Sequence, residues 1–236
     1  MVLSAQQISF AAVASSTNYK LQSDSINFGG GLSTSTSYRQ ESTGGEVATG
    51  EASSTNYKLK GGYQQMQEVY ISMTAPSDVT LSPSLAGITG GTSNGSTSVT
   101  VTTDSPAGYS LSIKAQNSPA MQNGAASIAD YNQGIDNDFS YSVVTGQASF
   151  GFSPSGADLV AAFKDNGSLC GVGSSDTALA CWAGLVTTPT VISQGTGSNH
   201  PSGTPTIINF RVGIGSGAGV TTGVYTATTT LTALPL

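Results

Sequence analysis

The side chains of this chain offer little to a catalyst. Its one histidine, His200, precedes Pro201 in a Gly/Ser-rich stretch, and Ser-His-Asp chemistry would have to run through it. A lone loop histidine is ordinarily solvated, so no nucleophile constellation is expected. Glycoside hydrolysis needs two facing carboxylates. The chain has 13 acidic residues, and the densest group is Asp130, Asp136 and Asp138. With Asn132 these place oxygen atoms at alternating positions, as a Ca2+ loop does. The pattern departs from an EF-hand loop, because Gly134 falls one position early and no Glu closes it. Solvated carboxylates are therefore the expectation, and Asp130, Asn132, Asp136 and Asp138 form only a weak Ca2+ candidate. No Gly-rich phosphate loop followed by Lys-Ser/Thr occurs. The expectation is a non-enzyme with no cofactor and no catalytic residue.

Other residue types point to structure and attachment. Cys170 and Cys181 are the only cysteines, and the stretch between them is Gly/Ser-rich. An even count at short spacing predicts a disulfide. Closing so short a loop stabilises by roughly 3 kcal/mol in the chain-entropy account. Asn94-Gly95-Ser96 and Asn166-Gly167-Ser168 match the N-glycosylation pattern, and Asn-Gly is equally a tight turn. Trp182 follows Cys181 directly. It reads as a core residue against the disulfide, or as an exposed ring that stacks on sugars. Lys114 falls on a predicted strand, but no partner Asn for an isopeptide crosslink is identifiable.

These residues need a scaffold, and composition restricts it. Only 8% of residues are charged, against roughly 25% in ordinary soluble domains. Hydrophobic residues make up 37% and net charge is −6. A core can be buried, and the surface must be largely hydroxylic. Seven basic residues spread from Lys20 to Arg211 exclude a clustered phosphate-binding face, so nucleic acid is not an expected partner. No apolar run approaches the roughly 20 residues of a membrane-spanning helix, and no span is expected.

The first part of the chain repeats. Ser15-Ser16-Thr17-Asn18-Tyr19-Lys20-Leu21 recurs as Ser53-Ser54-Thr55-Asn56-Tyr57-Lys58-Leu59, with Ser35-Thr36-Ser37-Tyr38-Arg39 between them. Tyr19, Tyr38 and Tyr57 are therefore evenly spaced, each followed by a basic residue. Each unit reads as two short strands joined by a turn. One such pair cannot bury a core, so the repeats stack within the molecule or against a neighbour. Residues 15–66 are assigned to three such repeats, and residues 1–14 to an extended strand before them.

From residue 67 onward the pattern alternates with period two, predicting one β-sandwich domain over 67–236. Predicted strands cover 67–73, 79–83 (an edge strand, by its Pro83), 98–103, 109–114, 139–144, 148–152, 207–214 and 224–231. Asp158–Lys164 reads as a short helix. The fold class is all-β: an Ig-like or jelly-roll-type sandwich behind an N-terminal β-repeat region and an extended strand.

The segment from Thr103 to Ile113, through Pro106-Ala107-Gly108-Tyr109, resembles a motif of bacterial extracellular sandwich domains. So does the ending, Phe210-Arg211-Val212-Gly213-Ile214 and Thr222 to Ala233. The Ser-Thr-Asn-Tyr-Lys-Leu repeats resemble those of surface proteins from candidate-phyla bacteria. Together they are similar to filament subunits of the TasA-like or donor-strand kind. That resemblance implies a secreted, cell-surface protein that polymerises with itself, head to tail. One subunit's extended N-terminus would complete the sheet of the next. Ile8, Phe10, Ala12 and Ala14 alternate as such a strand requires. Pairing of this strand within its own subunit stays open. A second reading is a monomeric adhesin or carbohydrate-binding module that presents Trp182, Tyr131 and Tyr141 to host or cell-surface glycans.

Overall fold

A computed structural model describes residues 14–15, 20–21, 29–35, 39–45, 50–53, 58–61 and 69–236. The chain divides into two units, Met1–Val69 and Tyr70–Leu236.

In the first unit the sequence repeat becomes a repeat of backbone pairing. Ala14–Ser15 (β1) pairs antiparallel with Lys20–Leu21 (β2), Gly29–Thr34 (β3) with Arg39–Gly44 (β4), and Gly50–Ser53 (β5) with Lys58–Gly61 (β6). The registers are equivalent: Ser15 faces Lys20, Thr34 faces Arg39 and Ser53 faces Lys58. A hydroxyl residue stands across from a cation each time, at the 19-residue period of the sequence. Each pair is a separate two-stranded sheet.

The second unit is a β-sandwich. Its larger sheet runs in the order Thr226–Ala227 (β16), Met121–Asn123 (β10), Ala126–Asp130 (β11), Ala148–Gly156 (β12), Thr204–Ile214 (β15), Gly91–Thr103 (β8) and Ile71–Met73 (β7). Ala183–Gly184 (β13) joins β12 beyond the end of β11. Most pairs are antiparallel, but β11 and β12 are parallel, so the sheet is mixed. The smaller sheet has three strands: Thr190–Gly195 (β14), Tyr109–Ala115 (β9) and Thr229–Pro235 (β17).

Period-two patterning sets the facing of these strands. Along β9, Tyr109, Leu111, Ile113 and Ala115 are buried, while Ser110, Ser112 and Lys114 are half-buried on the other face. Along β8, Val99, Val101 and Thr103 point inward. β15 pairs with β12 from Ala148↔Ile214 to Gly156↔Thr206 and with β8 from Thr204↔Val101 to Ile214↔Gly91. These two long registers make it the central strand. Phe152, Leu111, Ile113, Ile192 and Ile208 are essentially fully buried, each worth roughly 1.5–3 kcal/mol of transfer free energy.

The larger sheet also carries a second layer on its outer face. Gly151 and Gly213 have no side chain there. A Cβ on Gly151 would meet the Tyr131 and Tyr141 side chains, and one on Gly213 would meet Val143 and Tyr141. The loop 131–147 therefore lies directly on the sheet.

Several expectations shift. The segment 139–144 is not a strand. Tyr141 donates from its hydroxyl to the Ser149 carbonyl at 2.6 Å, so a side chain rather than a ladder docks this segment. The segment 79–83 is not a regular strand either, and meets the sheet by a single bridge, Ser82↔Asn94. The expected helix over Asp158–Lys164 is one 3-10 turn, Ala161–Phe163. Chain on both sides of it is held extended, by the bridges Leu159↔Ser193 and Asp165↔Cys170. β10, β11 and β14 were not anticipated, and β8 starts seven residues earlier than its Val/Thr run, in Gly, Ser and Asn. The expected disulfide is formed, Cys170–Cys181, with Cα atoms 5.6 Å apart. Among the described residues no helix is long and apolar enough to cross a membrane.

Candidate assembly groove

The two sheets differ in width, and this leaves part of the inner face of the larger one without a strand opposite. The exposed side of that gap is a groove of about 1280 Å³. That exceeds the roughly 300–1,000 Å³ usual for small-molecule pockets. Its floor is apolar, with Ile128, Phe150, Ile208, Phe210, Val212 and Ile214. One rim is the segment from Pro76 to Thr89, and the other runs from Val220 to Leu231.

The first rim is positioned by the glycine at the middle of β8. A Cβ on Gly95 would strike the side chains of Val79 and Leu81, so only glycine lets these two residues settle onto the strand. Thr97 donates from its hydroxyl to the Ser77 carbonyl at 3.1 Å, and the backbones of Ser82 and Asn94 exchange two bonds of 2.9 Å. At one end the rims are tied together, by Gly217 N–H to the Ile88 carbonyl (2.9 Å) and Val220 N–H to the Gly87 carbonyl (3.4 Å). Ile88 and Val224 stand 75% and 81% exposed on the rims. Phe210 and Ile214 on the floor keep only 7% exposure, so little of the floor is open to solvent.

β17 borders the groove with an open edge. Gln116 N–H donates to the Thr228 carbonyl, and Leu236 N–H to the Gly108 carbonyl. In an antiparallel ladder the bonded pairs alternate, so residues 230, 232 and 234 bond to β9. Thr229, Leu231 and Ala233 point their backbone groups the other way. Among the described residues no strand is hydrogen-bonded to that side of β17. The opposite edge of this sheet is closed, because Val160 N–H donates to the Ile192 carbonyl and Gln194 N–H to the Asp158 carbonyl.

Of the predicted donor strand, Ile8, Phe10 and Ala12 lie outside the described residues, and Ala14 is paired with Leu21 in β1–β2. Tyr19, Tyr38 and Tyr57 lie outside them as well. Asn94 and Asn166 are exposed. Asn94 Oδ1 accepts from Arg211 Nε at 2.6 Å, and Asn166 Oδ1 accepts the N–H groups of Ser168 and Leu169.

Three of the four Ca2+ candidates are held by local hydrogen bonds. Asp130 accepts the Ala120 N–H at 2.8 Å and the Ser118 hydroxyl at 3.3 Å. Asn132 accepts the Gly134 N–H, Asp138 accepts the Tyr131 hydroxyl at 2.7 Å, and Asp136 is exposed. Among the described residues no group of three or more His, Cys, Asp or Glu side chains is placed to hold a metal ion. His200 is exposed, edge-on to Tyr70 at 5.8 Å. Lys114 faces away from the core, across from Thr230.

Trp182 has no exposed surface, and its Nε1–H donates to the Leu179 carbonyl at 2.7 Å. It is a core residue of the outer layer rather than an open platform. Tyr141 meets it edge-on at 5.2 Å and stacks on Tyr131 at 4.4 Å. Burial pushes the Tyr141 phenol up to about 12, opposed by the Ser149 hydroxyl bond. Burial also raises Tyr131, and its bond to Asp138 adds to the effect. None of these groups is poised as an acid or base near neutral pH.

No family model, curated protein or solved structure matches the chain.

Proposed function

We propose that this protein is a structural subunit of an extracellular filament or surface layer, and that it polymerises with copies of itself by strand complementation. The observation that carries the reading is the pairing of an apolar groove with the open edge of β17. An entering strand would find backbone partners on Thr229 and Leu231 and apolar contacts on Phe210 and Ile208. Adding a strand to an open edge supplies backbone hydrogen bonds for affinity and side-chain pockets for specificity. The donor is the segment Ile8 to Ala14 of the next copy, whose alternate side chains would lie on the groove floor. A head-to-tail contact of this kind does not close on itself and generates a fibre.

Three further features agree. The two-stranded sheets of the repeat unit bury little alone and gain from stacking on neighbours. The disulfide fits an oxidising compartment. Low charge density leaves little repulsion between packed copies. The adhesin reading has a polar cleft of about 830 Å³ lined by Asp130, Asn132, Asp138 and Tyr225. It is the weaker one, because Trp182 and Tyr131 of its sugar platform are buried and Tyr141 is half-buried. Electron microscopy of the purified protein with and without residues 1–14 tests the proposal. Fibres from the full chain that vanish on truncation are expected, and dispersed particles from both would refute it.

A further inference from the structure

The two Asn-Gly-Ser segments share a sequence but not a conformation. Asn166 lies in an exposed turn, residues 166–169, immediately before the disulfide at Cys170. Its Oδ1 accepts the Ser168 N–H at 3.1 Å, the Ser168 hydroxyl at 3.0 Å and the Leu169 N–H at 3.0 Å. Its own N–H donates to the Leu169 carbonyl at 3.3 Å. Donors gathered on one side-chain oxygen fix which end of the amide is nitrogen. Among the described residues Nδ2 has no hydrogen-bond partner, so the nitrogen is the free end. These bonds are all local, and the turn forms without help from the rest of the fold. Gly167 has φ +90°, and a Cβ there would meet nothing within 4 Å, so the turn stands clear of the protein. Leu169 beside it is 63% exposed. A bulky, solubilising glycan on Nδ2 would shield apolar surface that the chain leaves open.

Asn94 is exposed as well, but it stands inside β8. Its backbone is paired with Arg211 on one side and bridged to Ser82 on the other. Its Oδ1 is taken by the Arg211 Nε–H at 2.6 Å, and that guanidinium is itself held over the Trp182 ring at 4.3 Å. On an extended strand Ser96 follows at about 7 Å, beyond hydrogen-bond reach. The acceptor pattern requires a hydroxyl two residues after the asparagine. A transferring enzyme must therefore meet the amide nitrogen and the hydroxyl together. The turn at Asn166 presents them together, and the strand at Asn94 holds them apart.

We propose that Asn166, and not Asn94, is an N-glycosylation site of this protein. The modification joins C1 of a saccharide to Asn166 Nδ2 and breaks the C1–O bond to a lipid-linked phosphate donor. One amide proton passes to a base of the transferring enzyme. The site rests on the extracellular part of the reading above and not on polymerisation. None of residues 166–169 borders the groove, so a glycan there leaves strand entry open.

Peptide mapping by mass spectrometry tests it, on the full chain purified from its native cells and their medium. The peptide that contains Asn166 carries a saccharide, located by fragmentation on the asparagine, and the peptide that contains Asn94 is bare. In the same cells Asn166→Gln and Ser168→Ala lose the saccharide, Ser168→Thr retains it, and Asn94→Gln leaves it unchanged. Each variant is checked for an intact disulfide and a Tm near that of wild type. A bare Asn166 in secreted chain overturns the inference, and so does a saccharide on Asn94. A saccharide that persists in Asn166→Gln sits on a hydroxyl and overturns it too. Fibres whose subunits are bare at Asn166 overturn this site alone and leave strand complementation standing. Chain found only inside the cell overturns this site together with the extracellular reading.

Discussion

At the residue scale the clearest electrostatic feature is Asp165, which is bridged to Cys170 and Ser175 of the loop that the disulfide closes. Its carboxylate accepts the Thr177 N–H at 2.9 Å, the Thr177 hydroxyl at 2.8 Å and the Gly167 N–H at 2.8 Å. The Thr177 backbone bond is the main cause that holds its pKa below the ordinary 3.8, and desolvation by the surrounding loop opposes it. A depressed folded value means that the stabilisation is full above the unfolded value and disappears as pH falls through the folded one. Asp165→Asn therefore lowers Tm at neutral pH, and the gap to wild type closes in the acid range. A gap that stays constant down the acid limb would contradict this account. Removing the disulfide with Cys170→Ser and Cys181→Ser should cost roughly 2–4 kcal/mol, measured by denaturant unfolding. Tyr141→Phe removes the bond to Ser149 and should cost about 0.5–1.5 kcal/mol, and the late phenol titration near 12 should vanish with it.

At the scale of elements, the phase of β17 separates assembly from folding. Thr229 points its N–H to the open edge, whereas Thr232 bonds to β9. Thr229→Pro should leave the monomer's Tm close to wild type and block polymerisation. Thr232→Pro should destabilise the fold itself by roughly 1–3 kcal/mol, since it orphans a paired carbonyl. Equal loss of stability in both would show that the edge is not free. The same strand shows what sequence patterning can convey. Alternation places β9 and the Val99–Thr103 half of β8 because one buried face dictates period two, whereas β12 and the end of β15 are buried on both faces. It overlooks the Gly91–Thr97 half, where Ser, Gly and Asn stand on a strand held by its long register with β15. It turns 139–144 into a strand, because it cannot tell a segment docked by Tyr141 from one docked by a ladder. The disulfide was readable from two cysteines alone. The groove was not, because it arises from the unequal widths of the two sheets, which no local pattern encodes. The outer layer was equally hidden: Trp182 and Arg211 are 29 residues apart in sequence and meet only because β13 and β15 both flank β12.

At the scale of the whole molecule, a repetitive N-terminal unit precedes a sandwich in which, among the described residues, no strand is hydrogen-bonded to the outer side of β17. An unpaired edge beside an apolar groove is a liability in a monomer, and the assembly reading gives both features a use. Amide hydrogen exchange on assembled and dissociated protein tests this most directly. The amides of Thr229 and Leu231 should exchange freely in the monomer and become protected in the polymer, while those of Thr230 and Thr232 are protected in both. Polymers in which Thr229 and Leu231 still exchange as they do in the monomer would contradict strand entry at β17.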